Sequence, residues 1–404
     1  MIPRLIMDSE KGVAKFNERL ETLPNIDKVA VARIYDISSG HLLTVVPNLP
    51  GKSGSLKIFY ATHEEGIINP QRALDLFGDE FIVEAVGDQH PNIQLVQQAL
   101  LDKRRLRLET ITTQSTGLLY AIVNGSATPE EKFEGVQLLQ SGSLRTAEKT
   151  YGKTGDKPMW EPQQYSIATL NCAFGLFAMG TFPENPQYVD KIPLWTQKVT
   201  LREGVHSPFM TEQELIATGI RLIPGSFVRM GAYVGKGTTV MPGGIVNIGA
   251  YVTGEGVMID GGARVASGAQ VGKGVKIGAG TGLEGVLEPA GMIPTIVEDY
   301  VRIGANCEVT GIIGERALIA SGVVMAAGKK IFDLRTNEFV EPLYVNTANG
   351  IRAIPHIPTN RIAVGGSYVP EGSKVGKNVV LLLEKDASDS SFMGVQKNIT
   401  LYQR

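Results

Sequence analysis

The sequence between residues 228 and 331 places a branched aliphatic or other apolar residue at nearly every sixth position. The stretch GARVASGAQVGKGVKIGAG, residues 262–280, shows the pattern: Val265, Val271 and Ile277 lie six residues apart, with small residues between them. Neither an α-helix nor an ordinary β-strand has this period. Hexapeptide repeats form a solenoid in which three short strands complete a triangular coil of about 18 residues. We therefore predict a parallel β-helix whose aliphatic side chains point into the prism.

The repeat is interrupted at residues 283–299, where LEGVLEPAGMIPTIVED does not fit a regular coil. We expect the solenoid to span residues 221–332 and residues 283–299 to form a loop that leaves it. Loops that leave a solenoid often carry a functional site. Beyond the solenoid, FDLRTNEFVEPLYV and IPTNRIAVGGSYVPEG are typical of hairpins. They predict a C-terminal β cap and tail over residues 333–404, because the open end of a coil is an unpaired edge that needs cover.

Residues 1–130 have a mixed α/β pattern that gives no functional motif. The runs KVAVARIYDI and LKIFYAT predict strands, while NPQRALDLFGDEF and NIQLVQQALLDKRRLRLE predict helices from their apolar spacing. Thr128 can cap a further helix whose first turn contains Pro129. Residues 131–220 are predicted to be a mostly helical segment that leads into the solenoid.

Composition and charge exclude several classes of partner. The formal net charge is −2, so no basic field favours nucleic acid or an anionic membrane. The N-terminal sequence has no apolar core of signal-peptide length, and no apolar run approaches the roughly 20 residues that span a bilayer. Cys172 and Cys307 lie far apart and show no metal-ligand spacing. We expect a cytoplasmic protein without a metal site, in which Cys307 is a packed thiol.

The candidate catalytic residues of the solenoid are carboxylates. Hexapeptide β-helices are associated with acyl-CoA-dependent acyltransferases, many of which use histidine as a general base, but here no histidine lies between residues 225 and 330. A carboxylate is a weak base at its ordinary pKa, and burial or a second nearby acid would raise that pKa toward neutrality. The acidic residues in this region are Glu255, Asp260, Glu284, Glu288, Glu298, Asp299, Glu308 and Glu315.

Several longer stretches resemble the tetrahydrodipicolinate N-succinyltransferases of bacterial lysine biosynthesis. They include GVMIDGGARVASGAQVGKGVKIGAGTGLEGVLEP and PTIVEDYVRIGANCEV, and more distantly LLQSGSLRTAEK, YVDKIPLW and RLIPGSFVRMGAYVGKGTTVMP. The resemblance covers about residues 135–385 and implies a left-handed parallel β-helix. It also implies an acyltransferase that uses succinyl-CoA, tetrahydrodipicolinate and water to form N-succinyl-2-amino-6-oxopimelate and CoA. Residues 1–130 lie outside the resemblance.

The resemblance assigns the catalytic pair to Asp260, in MID, and Glu308, in NCEV. We expect Glu308 to act on the substrate amine during acyl transfer and Asp260 to assist ring opening. Arg221 matches a substrate-binding arginine of the family, Arg229 is a second candidate for the substrate carboxylates, and Glu288 of the GVLEP loop is assigned to the substrate.

The resemblance implies a CoA thioester as co-substrate and no tightly bound cofactor. It also implies a homotrimer with sites between subunits. Asp260 and Glu308 are two to three coils apart in one chain, roughly 10 Å or more at about 4.8 Å per coil, and a site shared by two chains would bring them together. The candidates for the CoA phosphates are Lys329, Lys330, Arg361 and Lys374.

Two alternatives remain open from the sequence. One is an acetyl-CoA-dependent N-acetyltransferase that acts on the same substrate, and the other is a non-catalytic trimeric scaffold. The chain departs from the family where Asp-Thr-Trp is common, because it has Asp260-Gly261-Gly262. This change removes a large side chain beside a predicted catalytic residue.

Overall fold

The computed structural model describes residues 9–82, 90–155, 158–179, 219–223, 225–285, 293–347, 350–372 and 374–385. The chain divides into two compact units. The first consists of Met1–Glu134 and Glu148–Glu161, and the second of Gly135–Ala147 and Pro162–Arg404. The four-part division expected from the sequence, at residues 130, 220 and 332, stays a prediction.

The first unit is built around a five-stranded sheet. Its longer strands are β1 (Val29–Asp36), β2 (Leu42–Pro47) and β5 (Leu106–Thr112), and its short strands are β3 (His63–Glu64) and β4 (Ile67–Ile68). The strand order is β2-β1-β5-β4-β3, and all the pairs are antiparallel. Strand β1 is buried along nearly its whole length because it pairs on both sides, which confirms KVAVARIYDI as a strand.

The helices of the first unit correct two predictions from the sequence. The run LKIFYAT is not a strand, because it lies in a helix that buries Leu56, Ile58 and Phe59 in the core. The segment NIQLVQQALLDKRRLRLE is helical only in its first part and continues into β5. The helices are α1 (Ser9–Glu21), α2 (Ser53–Thr62), α3 (Pro70–Phe77), α4 (Asp79–Ile82), α5 (Pro91–Leu101) and α6 (Leu118–Asn124).

The segment before the solenoid combines helices with a small sheet. Helix α7 (Pro129–Gln140) begins as predicted, because the Thr128 hydroxyl accepts from the Glu131 N–H at 3.2 Å and the Glu131 carboxylate accepts from the Thr128 N–H at 2.8 Å. Strands β6 (Ala147–Thr150) and β7 (Met159–Pro162) pair with each other, and helix α8 (Gln164–Met179) follows.

The second unit contains the left-handed parallel β-helix expected from the hexapeptide repeat. Three sheets form its faces, and each regular strand contributes one outward and one inward residue. The strands of the first face are β8 (Arg221–Leu222), β11 (Thr239–Val240), β14 (Met258–Ile259), β17 (Lys276–Ile277), β20 (Arg302–Ile303) and β23 (Leu318–Ile319).

The second face carries Arg264 and Glu308 at outward positions. Its strands are β9 (Phe227–Val228), β12 (Ile245–Val246), β15 (Arg264–Val265), β18 (Gly282–Leu283), β21 (Glu308–Val309) and β24 (Val324–Met325). Those of the third face are β10 (Tyr233–Val234), β13 (Tyr251–Val252), β16 (Gln270–Val271), β19 (Ile296–Val297), β22 (Ile312–Ile313) and β29 (His356–Ile357). The inward residues of the three faces form one continuous buried core, which confirms the assignment of the sixth positions to the interior.

The chain leaves the regular coil between β18 and β19, as the sequence predicts. A regular corner such as 266–269 uses four residues, whereas the corresponding segment 284–295 uses twelve. The register nevertheless resumes, because Ile296 pairs with Gln270 and Leu283 pairs with Val309. The flanks of this excursion are described, and its residues 286–292 lie outside the described ranges.

A C-terminal β cap closes the solenoid. Its hairpins join β25 (Ile331–Asp333) with β26 (Glu338–Phe339), β27 (Leu343–Thr347) with β28 (Gly350–Ile354), and β30 (Arg361–Tyr368) with β31 (Lys377–Glu384). Strand β30 also pairs with β23, so the cap extends the sheet of the first face. The prediction of a β cap is confirmed for the part of residues 333–404 that ends at residue 385.

Candidate functional site

A charged pair spans three neighbouring strands of the second face. Arg264, Gly282 and Glu308 occupy equivalent outward positions in β15, β18 and β21. The Arg264 Nη2 atom donates to Glu308 Oε1 at 2.5 Å, across the intervening glycine. A Cβ atom at position 282 would collide with Glu308 Oε2 and lie 2.5 Å from Arg264 Nη2. The missing side chain at Gly282 therefore allows residues two coils apart to meet.

Glu284 joins this pair from the corner that follows β18. Its backbone N–H donates to the Val309 carbonyl at 3.0 Å, and its carboxyl lies close enough to the carboxyl of Glu308 for a hydrogen bond. Hydrogen bonding to Glu308, partial burial and the negative charge of Glu308 raise the pKa of Glu284. We call Arg264, Glu284 and Glu308 the second-face cluster.

The pKa of Glu308 is lowered, whereas the sequence led us to expect a catalytic carboxylate with a raised pKa. Partial burial alone would raise the pKa of Glu308, but its hydrogen bonds with Glu284 and Arg264 and the positive charge of Arg264 outweigh that effect and lower it. The expectation of a raised pKa is therefore wrong for Glu308, and the raised pKa belongs to Glu284. The two carboxyls of the cluster thus have pKa values that are shifted in opposite directions.

Asp260 lies at the corner between the first and second faces. It follows β14, is half-buried, and its Oδ1 atom accepts from the Gly261 N–H at 2.7 Å. Arg264 is in the same coil, whereas Glu308 is two coils further along, about 10 Å at roughly 4.8 Å per coil. The structure of one chain thus connects Arg264 with Glu308 and places Asp260 at a separate position on the same side of the prism.

Comparison with known proteins supplies the family. The 2,3,4,5-tetrahydropyridine-2,6-dicarboxylate N-succinyltransferase of Parvibaculum lavamentivorans is 37% identical over 211 residues, which cover 51% of this chain and 68% of the relative. The protein of the same name from Methylorubrum extorquens is 36% identical over 235 residues, covering 56% and 73%. The chain belongs to this N-succinyltransferase family. It is an acyltransferase.

Two family models match shorter parts of this N-succinyltransferase family member. Residues 250–285 match the bacterial transferase hexapeptide model of six repeats, and residues 16–110 match a model described as an uncharacterized protein conserved in bacteria (DUF2322). A solved Campylobacter jejuni structure, provisionally named 2,3,4,5-tetrahydropyridine-2-carboxylate N-succinyltransferase, is 17% identical with a TM-score of 0.36. It covers 94% of this chain and 98% of that chain. None of the described helices is long and apolar enough to cross a membrane.

The substrate-binding residues expected from the N-succinyltransferase family lie apart in the chain. Arg221 is exposed in β8 on the first face, two coils before Met258. Arg229 follows β9, and its Nη1 atom donates to Asn247 Oδ1. Glu288 lies outside the described residues. Roles for these three residues stay predictions.

The candidates for the CoA phosphates fall into two groups. Lys329 and Lys330 lie in the turn before β25, and Lys374 lies in the turn between β30 and β31. Lys330 and Lys374 are exposed, whereas Lys329 is half-buried. Arg361 instead donates to both carboxylate oxygens of Asp333, at 2.6 and 2.8 Å, and to the Leu383 carbonyl at 3.0 Å. Its guanidinium thus has a structural role in the cap.

Cys307, next to Glu308, is a packed thiol. It is buried, and its Sγ atom donates to the Ala320 carbonyl at 3.1 Å. Burial raises the pKa of this thiol, which disfavours the thiolate that a nucleophile needs.

Sequence reasoning did not assign Arg264 and Glu284 to the site. Arg264 and Gly282 are 18 residues apart, one full coil, so the repeat itself could have placed them in one column. Gly282 and Glu308 are 26 residues apart, because the excursion at 284–295 adds eight residues to that coil. If the eight added residues are subtracted, Gly282 and Glu308 are also one coil apart. The repeat then places Arg264, Gly282 and Glu308 in one column.

Proposed function

We propose that the protein transfers the succinyl group of succinyl-CoA to the nitrogen of tetrahydrodipicolinate, forming N-succinyl-2-amino-6-oxopimelate and CoA. Membership of the N-succinyltransferase family supports this assignment. The observation that carries it is the second-face cluster, in which an ionised Glu308 is held by Arg264 on an accessible face of the solenoid.

The reaction needs a proton acceptor at the substrate nitrogen. Water first adds across the C=N bond of the cyclic imine, with its hydroxyl on carbon and its proton on nitrogen. The resulting amine attacks the thioester carbonyl, and its nitrogen becomes positively charged and therefore strongly acidic. A carboxylate with a lowered pKa can accept this N–H proton, so the proton passes to Glu308 and, as the C–S bond breaks, to the departing CoA thiolate. The ring opens when the C–N bond breaks, the hydroxyl becomes a ketone, and its proton moves to the amide nitrogen.

Asp260 is proposed to carry the proton during ring opening. It is half-buried with one carboxylate oxygen bonded to the Gly261 N–H, so its other oxygen can exchange a proton with the substrate hydroxyl. Because two coils separate Asp260 from Glu308 in one chain, we propose that a homotrimer supplies the two acids to one site from different subunits.

The remaining contacts follow from the charges of the substrates. The two carboxylates of tetrahydrodipicolinate call for arginine, and Arg221 and Arg229 are proposed to bind them, with Glu288 near the substrate. Lys329, Lys330 and Lys374 are proposed to bind the phosphates of CoA, and no tightly bound cofactor is required. This chemistry suits a cytoplasmic enzyme.

The test is the release of free CoA, titrated as thiol, when the purified protein receives tetrahydrodipicolinate and either succinyl-CoA or acetyl-CoA. We expect release with succinyl-CoA to exceed release with acetyl-CoA. A preference for acetyl-CoA would overturn the choice of donor and favour the N-acetyltransferase. No release with either donor, together with no CoA binding by calorimetry, would overturn the enzyme assignment in favour of a scaffold.

A further inference from the structure

The two oxygens of the Glu308 carboxylate have different surroundings. Oε1 accepts from Arg264 at 2.5 Å. Oε2 is buried and, among the described residues, receives no hydrogen bond from a backbone amide, a hydroxyl or a cation. A buried carboxylate oxygen without a donor is costly, because it has lost its water. The carboxyl of Glu284 is the neighbour that can supply a donor, provided that it carries a proton.

The backbone holds Glu284 in place for this contact. Its N–H donates to the Val309 carbonyl at 3.0 Å, one residue after Glu308, and its carbonyl accepts from the Thr295 N–H at 3.4 Å. These two bonds fix the residue at the point where the long excursion leaves the prism. The bare Cα of Gly282 lies between the side chains and leaves the space in which they meet.

We propose that Glu284 is a positioning residue for Glu308, with a protonated carboxyl that donates a hydrogen bond to Glu308 Oε2 while Arg264 holds Oε1. The inference rests on the proposed function, in which Glu308 accepts the proton of the substrate amine. The two donors fix the plane of the Glu308 carboxylate and keep it ionised. Glu284 itself need not touch the substrate.

The protonation of the pair agrees with this geometry. The pKa of Glu284 is raised, first by its hydrogen bond with Glu308, and the pKa of Glu308 is lowered despite partial burial. Two carboxyls in hydrogen-bond contact share one proton, because two negative charges held side by side repel each other. Arg264 decides which carboxyl is ionised, since it contacts Glu308.

The test compares Glu284→Gln with Glu284→Ala in the dependence of kcat/KM on pH. Glutamine keeps a donor for Glu308, so its variant should retain activity within about threefold and keep the acidic limb of the profile. Alanine removes the donor. We expect kcat/KM to fall about tenfold and the acidic limb to move to higher pH, because Glu308 then binds a proton more readily.

A matched control is Glu315→Ala, which removes a half-buried acid paired with Arg316 at another corner of the solenoid. This variant should leave both activity and the acidic limb unchanged. Circular dichroism of each variant shows whether the β-helix is intact. Equal losses in Glu284→Gln and Glu284→Ala, or an unmoved acidic limb in a folded Glu284→Ala, would overturn the positioning role.

A second readout does not depend on activity. Infrared difference spectra of wild type minus Glu284→Gln at neutral pH should contain the carbonyl stretch of a protonated carboxyl. Absence of that band would overturn the proposal even in an active enzyme. If the band is present in a protein that releases no CoA from either donor, the shared proton stands and only the proposed function fails.

Discussion

The second and third faces of the β-helix are built from the same repeat and carry opposite outward chemistry. On the second face, the Arg264 and Glu308 side chains remain 49% and 42% exposed. On the third face, Gln270 is only 1% exposed, and it bonds to Thr146 and Arg145 from the segment before the solenoid. The inward residues of both faces are aliphatic and buried. The repeat therefore determines which residues form the interior. The outward residue of each strand determines whether that face remains exposed or packs against another segment.

Aromatic packing closes the third face further. Tyr233 and Tyr251 stack with their ring centroids 4.6 Å apart, and the Arg145 guanidinium lies 3.9 Å above the Tyr251 ring. The Thr146 hydroxyl donates to the Gly268 carbonyl at 2.5 Å. The outward side chains of the first three strands of the third face are thus engaged in packing. The comparison predicts activity effects on the second face and stability effects on the third.

The largest effect is expected at the base on the open face. Glu308→Gln keeps the shape of the side chain but cannot accept a proton, so kcat should fall about 100-fold or more. The free energy of unfolding should change by less than about 1 kcal/mol, because the ion pair with Arg264 is exposed. Steady-state kinetics and urea unfolding measure the two quantities. A kcat within threefold of wild type would remove Glu308 from the mechanism.

The Arg361–Asp333 ion pair of the cap is more buried than the Arg264–Glu308 pair of the second face. Arg361 and Asp333 are only 11% and 10% exposed, and hydrogen bonds from Arg361 lower the pKa of Asp333 although burial alone would raise it. Asp333→Asn should cost about 3 kcal/mol of unfolding free energy at neutral pH.

The pH dependence of the stability lost in Asp333→Asn tests whether the loss comes from the Asp333 charge. A lowered pKa stabilises the fold above the pKa of unfolded aspartate, about 3.9, and this contribution disappears as the pH falls through the lower folded value. The stability difference between wild type and Asp333→Asn should therefore shrink in acid, as urea titrations at several pH values would show. A difference that stays constant down to acid unfolding contradicts a role for the Asp333 charge.

On the covered face, Gln270→Ala should lower the unfolding free energy by about 2 kcal/mol, since it leaves the hydrogen-bonding groups of Thr146 and Arg145 without this partner. The outward residue Val324 of the second face, 47% exposed, offers a control, because Val324→Ala should change stability by less than about 0.5 kcal/mol. Thermal unfolding compares the two variants. Equal stability losses would show that the two faces do not differ in this way.

The smallest change in chemistry is a single methyl group on the open face. Gly282→Ala should lower kcat about tenfold and stability by about 1 kcal/mol, because its Cβ would displace Glu308 from Arg264. Gly365→Ala is its control, as a Cβ there meets no atom within 4 Å. Neither glycine has a positive φ, so both substitutions test space rather than backbone strain. Wild-type kinetics for Gly282→Ala would contradict the close approach.

The parts of the fold that the sequence predicts are those with a strict period. Nearly every sixth residue is inward because three strands of equal length close one coil, and inward residues resume after the long excursion at 284–295. The step between inward residues is seven from Val252 to Ile259 and four from Val309 to Ile313. The run LKIFYAT was ambiguous, since its apolar residues fit a short strand as well as a helix, and packing of Leu56 and Phe59 decided for α2. Glu284 and Arg264 were missed because their contact with Glu308 depends on register between coils.

The glycine at position 282 has a consequence for how the solenoid folds. In a repeat protein, stability is close to a sum of terms for each repeat and for its contact with the next. The bond from Arg264 to Glu308 passes over one coil and joins the two on either side of it, over 44 residues of chain. Such a contact cannot form until three successive coils have stacked. The functional centre therefore assembles cooperatively, as a property of three coils rather than of any one.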